Sequence, residues 1–240
     1  MKKLNSVVVS VVALVVAIAA LVMNILCCNK NKPVDVAETL NNNPEIIINA
    51  MQNYEQKMRE EAMARAQKLI TDNMEAIANN PDSPAIGNKE GTVTVVEFFD
   101  FSCGYCHRLY PTLKNIIAKN PEVKLVLREL SFVSPSSAYA AKAALAANMQ
   151  GKYAELLDAL MTNKGALTEP KIDELAAKAG VDLEKMKADM NSAKVDQIMK
   201  DTAELAAKIQ VNGVPALVIN GKMLQTLDEA VIQSAIDAAK

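Results

Sequence analysis

Several things are scarce or missing in this chain, and each absence narrows what it can be. Tryptophan is absent and there is a single histidine among 240 residues. Aromatic side chains make up only 4% of the chain, while alanine and methionine are plentiful, a balance that favours helix. Neither sign of charge dominates: 26 basic and 28 acidic residues leave a formal net charge of −2, so there is no basic footprint for nucleic acid. Cysteine occurs four times, and Cys27 and Cys28 fall in a leading segment, which leaves only Cys103 and Cys106 for the body of the chain. A structural disulfide framework needs more cysteines, spread apart. A structural zinc site needs four ligands, and beyond this pair the body offers only His107 of the usual cysteine and histidine donors. No phosphate-binding loop, dinucleotide fingerprint or serine-hydrolase elbow is present.

The start of the chain is a different material from the rest. After the basic Met1-Lys2-Lys3, residues 7–26 are almost wholly apolar, interrupted only by Ser10 and Asn24. That is close to the roughly 20 residues a bilayer span requires. Ala17-Ile18-Ala19 offers a small-x-small cleavage site, so 1–28 reads either as a signal peptide or as a retained anchor. Lys30 and Lys32 blur the positive-inside rule. Leu26 stands where a lipid-attachment motif carries a small residue, so Cys27 and Cys28 are read as incidental. Either main reading sends the body of the chain out of the cytoplasm, into the periplasm of a bacterium, where disulfides form and persist.

Residues 29–33 read as a linker. From Glu45 to Ala78 the pattern is one long helix, with Ile47, Met51, Tyr54, Met58, Ala62, Ala66 and Leu69 recurring at three- and four-residue steps. This stripe either packs on the body of the chain or pairs with the same helix of another copy. We read 34–80 as a self-association segment, because it precedes a complete domain. A turn-rich break at 81–88 follows. Residues 92–101 form the first strand, apolar enough for a central position. Residues 103–119 form a helix with Ser102 as N-cap and a kink at Pro111, and 123–130 form a second strand. A helical block runs from about 136 to 210. A strand at 215–220, a turn at Asn220-Gly221, a short strand at 222–225 and a helix at 227–239 complete the chain. This order is that of an α/β thioredoxin fold, at 85–240, with a helical insertion between its halves.

Cys103-Gly104-Tyr105-Cys106 carries the chemistry. Two thiols three residues apart at a helix start share a face and can close a disulfide. The helix N-terminus directs N–H groups and partial positive charge at the first sulfur, which stabilises a thiolate, the reactive form. Cys103 is therefore the nucleophile and Cys106, one turn deeper, the resolving partner. Glu97, in an apolar strand six residues earlier, either turns to solvent or lies under the disulfide as a proton acceptor for Cys106. Gly104 keeps the approach open and, with Tyr105, tunes the redox poise. His107 reads as a surface helix residue.

Val95-Val96-Glu97-Phe98-Phe99-Asp100-Phe101-Ser102-Cys103-Gly104-Tyr105-Cys106 resembles the active-site strand and loop of DsbA-like thiol:disulfide oxidoreductases. Gly213-Val214-Pro215-Ala216, followed by Val218-Ile219-Asn220-Gly221-Lys222, resembles that family's cis-proline loop and next strand. The long preceding helix is similar to that of the subgroup with an N-terminal oligomerisation segment, such as ScsC-like proteins. The resemblance implies a cis bond at Pro215, with the Val214 backbone beside Cys103 ready to pair with an extended client peptide. It implies the proton-accepting role for Glu97. It also implies disulfide formation or isomerisation in exported proteins, a membrane redox partner and no bound cofactor. Gly-Tyr replaces the Pro-His of the most oxidising members, which points to a milder oxidant. A rival reading from the residues is a copper-binding or chaperone-like holding protein that uses the same dithiol, since Cu(I) favours thiolates.

Overall fold

The computed structural model describes residues 2–28 and 35–240. The linker expected at 29–33 and the side chains of Cys27 and Cys28 lie outside the described residues. The chain divides into two compact units, Met1–Glu60 and Glu61–Lys240.

The first unit is helical. Helix α1 runs from Lys2 to Cys28, with Val11, Leu14, Ile18 and Leu21 exposed. Among the described residues no helix is long and apolar enough to cross a membrane. Helix α2 (Val36–Asn42) is started by Asp35, whose carboxylate accepts from Ala37 N and Glu38 N at 2.9 and 3.1 Å. Helix α3 (Glu45–Asp72) begins here with Ile47, Met51, Tyr54 and Met58 all exposed.

The second unit takes over within α3 and continues with α4 (Met74–Ala78). The single helix expected to Ala78 is thus broken at Asn73. There Asn73 Nδ2 donates to the Leu69 carbonyl at 2.8 Å and leaves helical geometry with ψ near +14°. Five strands follow: β1 (Ala85–Gly87), β2 (Val93–Phe99), β3 (Val123–Glu129), β4 (Ala216–Ile219) and β5 (Lys222–Met223). They form one sheet in the order β1-β3-β2-β4-β5. Strands β2 and β3 are parallel, while β1, β4 and β5 join antiparallel. Helix α5 (Gly104–Lys119) connects the parallel pair. The expected helical block resolves into α6 (Ser137–Met149), α7 (Tyr153–Met161), α8 (Glu169–Lys178), α9 (Leu183–Met190) and α10 (Ala193–Lys208), and α11 (Glu229–Asp237) closes the chain.

Strand alternation sorts the core into two layers. Val93, Val95 and Phe99 of β2 and Leu125 and Leu127 of β3 face a cluster with α5, α6, α7, α8, α9 and α11 that includes Cys103 and Cys106. Val96, Phe98 and Val126 point the other way, onto Ile70 of α3, Ile77 of α4 and Leu205 of α10. Arg128 is buried on that second face and donates to the Ala76 and Ile77 carbonyls at the end of α4. A fully buried guanidinium needs such partners, and the last carbonyls of a helix lack intrahelical donors.

Candidate active site

Strand β2 stops at Phe99, and a tight turn then delivers Cys103. The Cys103 amide donates to the Asp100 carbonyl at 2.9 Å, and Ser102 N donates to Asp100 Oδ1 at 2.8 Å. Cys103 itself occupies the N-cap position of α5, with φ −82° and ψ 115° and no side-chain cap. Ser102, expected as the cap, is instead engaged sideways by the Ser134 hydroxyl at 2.8 Å. The first N–H groups of α5 thus have no side-chain cap, and Cys103 sits at the positive end of the helix.

Both cysteines are free. Cys103 retains 6% exposure and Cys106 none, so only the first can meet a macromolecule. Burial drives the Cys106 thiol far up; a hydrogen bond from the Asp100 main chain opposes this, and the nearby Glu97 adds to it. The Val214–Pro215 peptide is cis. The Cys103 thiol donates to the Val214 carbonyl at 3.5 Å, which brings two segments 111 residues apart to one point.

Glu97 is 2% exposed. Its position between Val95 and Phe99 aims it into the layer that holds Cys106, and the alternative of a solvent-facing carboxylate does not occur. Burial pushes its carboxyl up to about 8. Its Oε1 has no hydrogen-bond partner among the described residues, so it is free to exchange a proton with a neighbour. Tyr105 is 69% exposed and carries the Arg108 guanidinium 4.2 Å above its ring. A Cβ at Gly104 would meet nothing closer than Arg108 Nη1 at 3.8 Å, so the approach over residue 104 is open. His107 is half-buried and donates through Nε2 to the Phe101 carbonyl at 2.7 Å, which ties the first turn of α5 back to the entry turn. A cleft of about 470 Å3 lies beside it, lined by Ser102, His107, Ser134 and Leu167 among others.

All eight residues singled out in the sequence therefore fall at one end of the sheet or directly beneath it. Three further groups were not anticipated. Asp100 is completely buried and accepts four hydrogen bonds. Glu129, opposite Phe99 on β3, is buried next to Glu97's layer and pushed by burial up to about 7; it accepts a hydrogen bond from Tyr153. Tyr110, one turn beyond Cys106, donates to Asp158 Oδ1 at 3.1 Å. Asp100 had a readable signal, an aspartate two residues before a serine at the mouth of a helix. The others depend on which strands become neighbours. Among the described residues, no group of three or more histidine, cysteine, aspartate or glutamate side chains is placed to hold a metal ion.

Residues 94–237 match the DSBA-like thioredoxin domain. A solved thioredoxin-like oxidoreductase from Silicibacter pomeroyi is 36% identical, covers 69% of this chain and 96% of its own, and superposes with a TM-score of 0.66. ScsC of Proteus mirabilis in a transitional conformation is 25% identical, with coverage of 89% and 97% and a TM-score of 0.66. The thiol:disulfide interchange protein DsbA of Pectobacterium carotovorum is 29% identical, over 54% of this chain and 67% of that protein. The chain also matches Na(+)/H(+) antiporters, such as one from Salinispora tropica at 29% identity, over 68% of this chain but only 25% of the antiporter's length. With a thioredoxin-like sheet, a paired-thiol turn and a match that spans more than half its length, the chain belongs to the DSBA-like thioredoxin domain family.

Proposed function

We propose that this protein is an exported thiol:disulfide oxidoreductase that forms and isomerises disulfides in client proteins through Cys103 and Cys106. The observation that carries this reading is the stack at the end of β2: Cys103 at the start of α5 facing the Val214 carbonyl, Cys106 beneath it, and a proton-holding Glu97 in the layer below.

In the oxidising direction, a client thiolate attacks Cys103 Sγ of the Cys103–Cys106 disulfide. A bond forms between client and Cys103, and the electron pair of the broken bond goes to Cys106. Burial makes a bare Cys106 thiolate costly, and the protonated Glu97 carboxyl is there to supply its proton. A second client thiolate then attacks the client sulfur of the mixed disulfide. The client leaves oxidised and the protein keeps two electrons as the dithiol. In the isomerising direction, the Cys103 thiolate opens a wrong client disulfide. It is expelled again when another client thiol attacks, so no net electrons move. The Val214 backbone pairs with the client's extended strand, and Gly104 and Tyr105 tune the poise towards a mild oxidant.

The apolar segment at 7–26 serves as leader or anchor for export to the periplasm, where a membrane redox partner resets the cysteines. The exposed stripe Ile47, Met51, Tyr54 and Met58 of α3 supports self-association of the 34–80 segment, with catalytic faces around a shared cleft. Scrambled ribonuclease is expected to regain activity with the protein and to regain less with a variant lacking 34–60, the part of that segment that belongs to the first unit. No recovery with the intact protein removes the isomerase function. Tight stoichiometric Cu(I) binding by a thiol pair that does not equilibrate with glutathione replaces this reading with metal binding.

A further inference from the structure

We propose that Asp100 is a positioning residue that fixes the turn presenting the Cys103 sulfur through its own main chain. The inference rests on the reading of Cys103 and Cys106 as the exchanging pair and adds a residue that acts on them without touching the client.

Asp100 follows directly on β2 and has no exposed surface. Among the described residues no lysine or arginine is ion-paired with it. Its two side-chain oxygens meet four oriented donors instead. Oδ1 accepts from Ser102 N at 2.8 Å and from Ser137 Oγ at 2.7 Å. Oδ2 accepts from Phe132 N and Val133 N, both at 3.0 Å. One oxygen thus grips the turn that leads into Cys103 and the start of α6. The other grips the loop between β3 and α6, where Phe132 and Val133 expose apolar side chains. The Ser134 hydroxyl, bonded to Ser102 and Ser137, closes the network from the same loop.

Held in this way, the carbonyl of residue 100 accepts the Cys103 amide at 2.9 Å, which sets the turn that puts Cys103 at the head of α5. A short polar residue of another kind would close the turn, but only a carboxylate presents two oxygens to four donors. An asparagine would turn an NH2 group towards the Phe132 and Val133 amides and lose both contacts, or towards Ser102 N and Ser137 Oγ, losing the first and reversing the second. The turn then loosens, and Cys103 is displaced from the N-cap position at the head of α5. A sulfur at a helix N-terminus is favoured as an anion by the helix dipole, so its displacement weakens the reduced form relative to the disulfide.

The test compares the intact protein with Asp100→Asn, Ser137→Ala and Leu160→Ala. Leu160 is buried in the same core cluster on α7 and serves as a destabilised control. Each variant is equilibrated with glutathione buffers, and the alkylation rate of Cys103 is measured at neutral pH. Asp100→Asn is expected to shift the equilibrium about tenfold towards the disulfide, about 30 mV, and to slow alkylation of Cys103 about as much. Ser137→Ala, which removes one donor and keeps the carboxylate, is expected to shift it about threefold in the same direction. It carries the test alone if Asp100→Asn does not fold. Leu160→Ala is expected to lower the melting temperature without moving the equilibrium. The inference is overturned if a folded Asp100→Asn and Ser137→Ala both match the unsubstituted protein, or if Leu160→Ala shifts the couple equally. A protein without any two-electron couple overturns the redox reading itself, a result that these variants cannot mimic.

Discussion

Within the strands, one face of the central sheet buries the acids Glu97 and Glu129, pushed up to about 8 and about 7; the other buries the guanidinium of Arg128, which donates to the Ala76 and Ile77 carbonyls. The acids share their layer with the cysteines, while Arg128 shares its layer with Ile70, Ile77 and Leu205. Burial does something different in each place. Under α5 it keeps a carboxyl protonated at neutral pH in the layer that holds Cys106. Under α4 it commits a permanent charge to fastening α4 to the sheet. On the proposed reading one face serves proton transfer, and the other serves attachment.

The sharpest way to break this contrast is Glu97→Gln. A carboxyl raised from about 4.5 to about 8 on folding binds a proton more tightly in the folded state than in the unfolded one. Stability therefore falls as pH rises from about 4.5 and levels off above about 8. Glu97→Gln removes this slope. Its gain over the parent is expected to be near zero at pH 4 and to approach on the order of 5 kcal/mol at pH 9, read by urea unfolding at both values. At the same time the exchange step should slow by about a hundredfold, the lower end of the range for a lost general acid or base. A variant that keeps the parent's pH slope shows that Glu97 is not the titrating group.

On the opposite face, Arg128→Met should do the reverse. It leaves two helix-end carbonyls without donors in the core, and a loss of about 3 kcal/mol is expected in the same unfolding assay, with the glutathione equilibrium unchanged. Altered exchange chemistry in this variant would erase the distinction between the faces. Glu129→Gln is expected to matter less. It keeps an acceptor for Tyr153 and removes only the slope between about 4.5 and 7, which a pH series of melting temperatures reads out. The smallest effect belongs to the rim. Arg108→Ala takes the cation from the exposed Tyr105 ring, about 0.5–1 kcal/mol, and should change peptide exchange rates no more than a few-fold.

The sequence-level reading went furthest where chemistry is local. The Cys103–Cys106 turn, the strand before it and the α5 helix follow from residues within a dozen positions of one another. The orientation of Glu97 does not, because strand alternation offers both faces and only the packing of α5 over β2 and β3 decides which one is dry. Strand β1 was invisible for the same reason: Ala85–Gly87 has no pattern of its own and exists as a partner to β3. Asp100 was absorbed into the expected strand at 92–101, although the turn it creates ends that strand at Phe99. The break at Asn73 was missed because the apolar stripe runs on towards it, and an asparagine that bonds its own helix at Leu69 leaves no periodic trace. Arg128 carries no signal beyond its place in a strand, since its value lies in carbonyls about 50 residues away.

The central claim is that Cys103 alone exchanges with clients while Cys106 waits beneath it. The direct measurement is to trap the intermediate: the reduced Cys106→Ala variant is mixed with a disulfide-bridged peptide at neutral pH, and the adduct is mapped by mass spectrometry over time. The account predicts a stable mixed disulfide at Cys103, formed far faster than with an ordinary free cysteine. An adduct that forms no faster than with glutathione-like thiols, or that fails to form at Cys103, contradicts it.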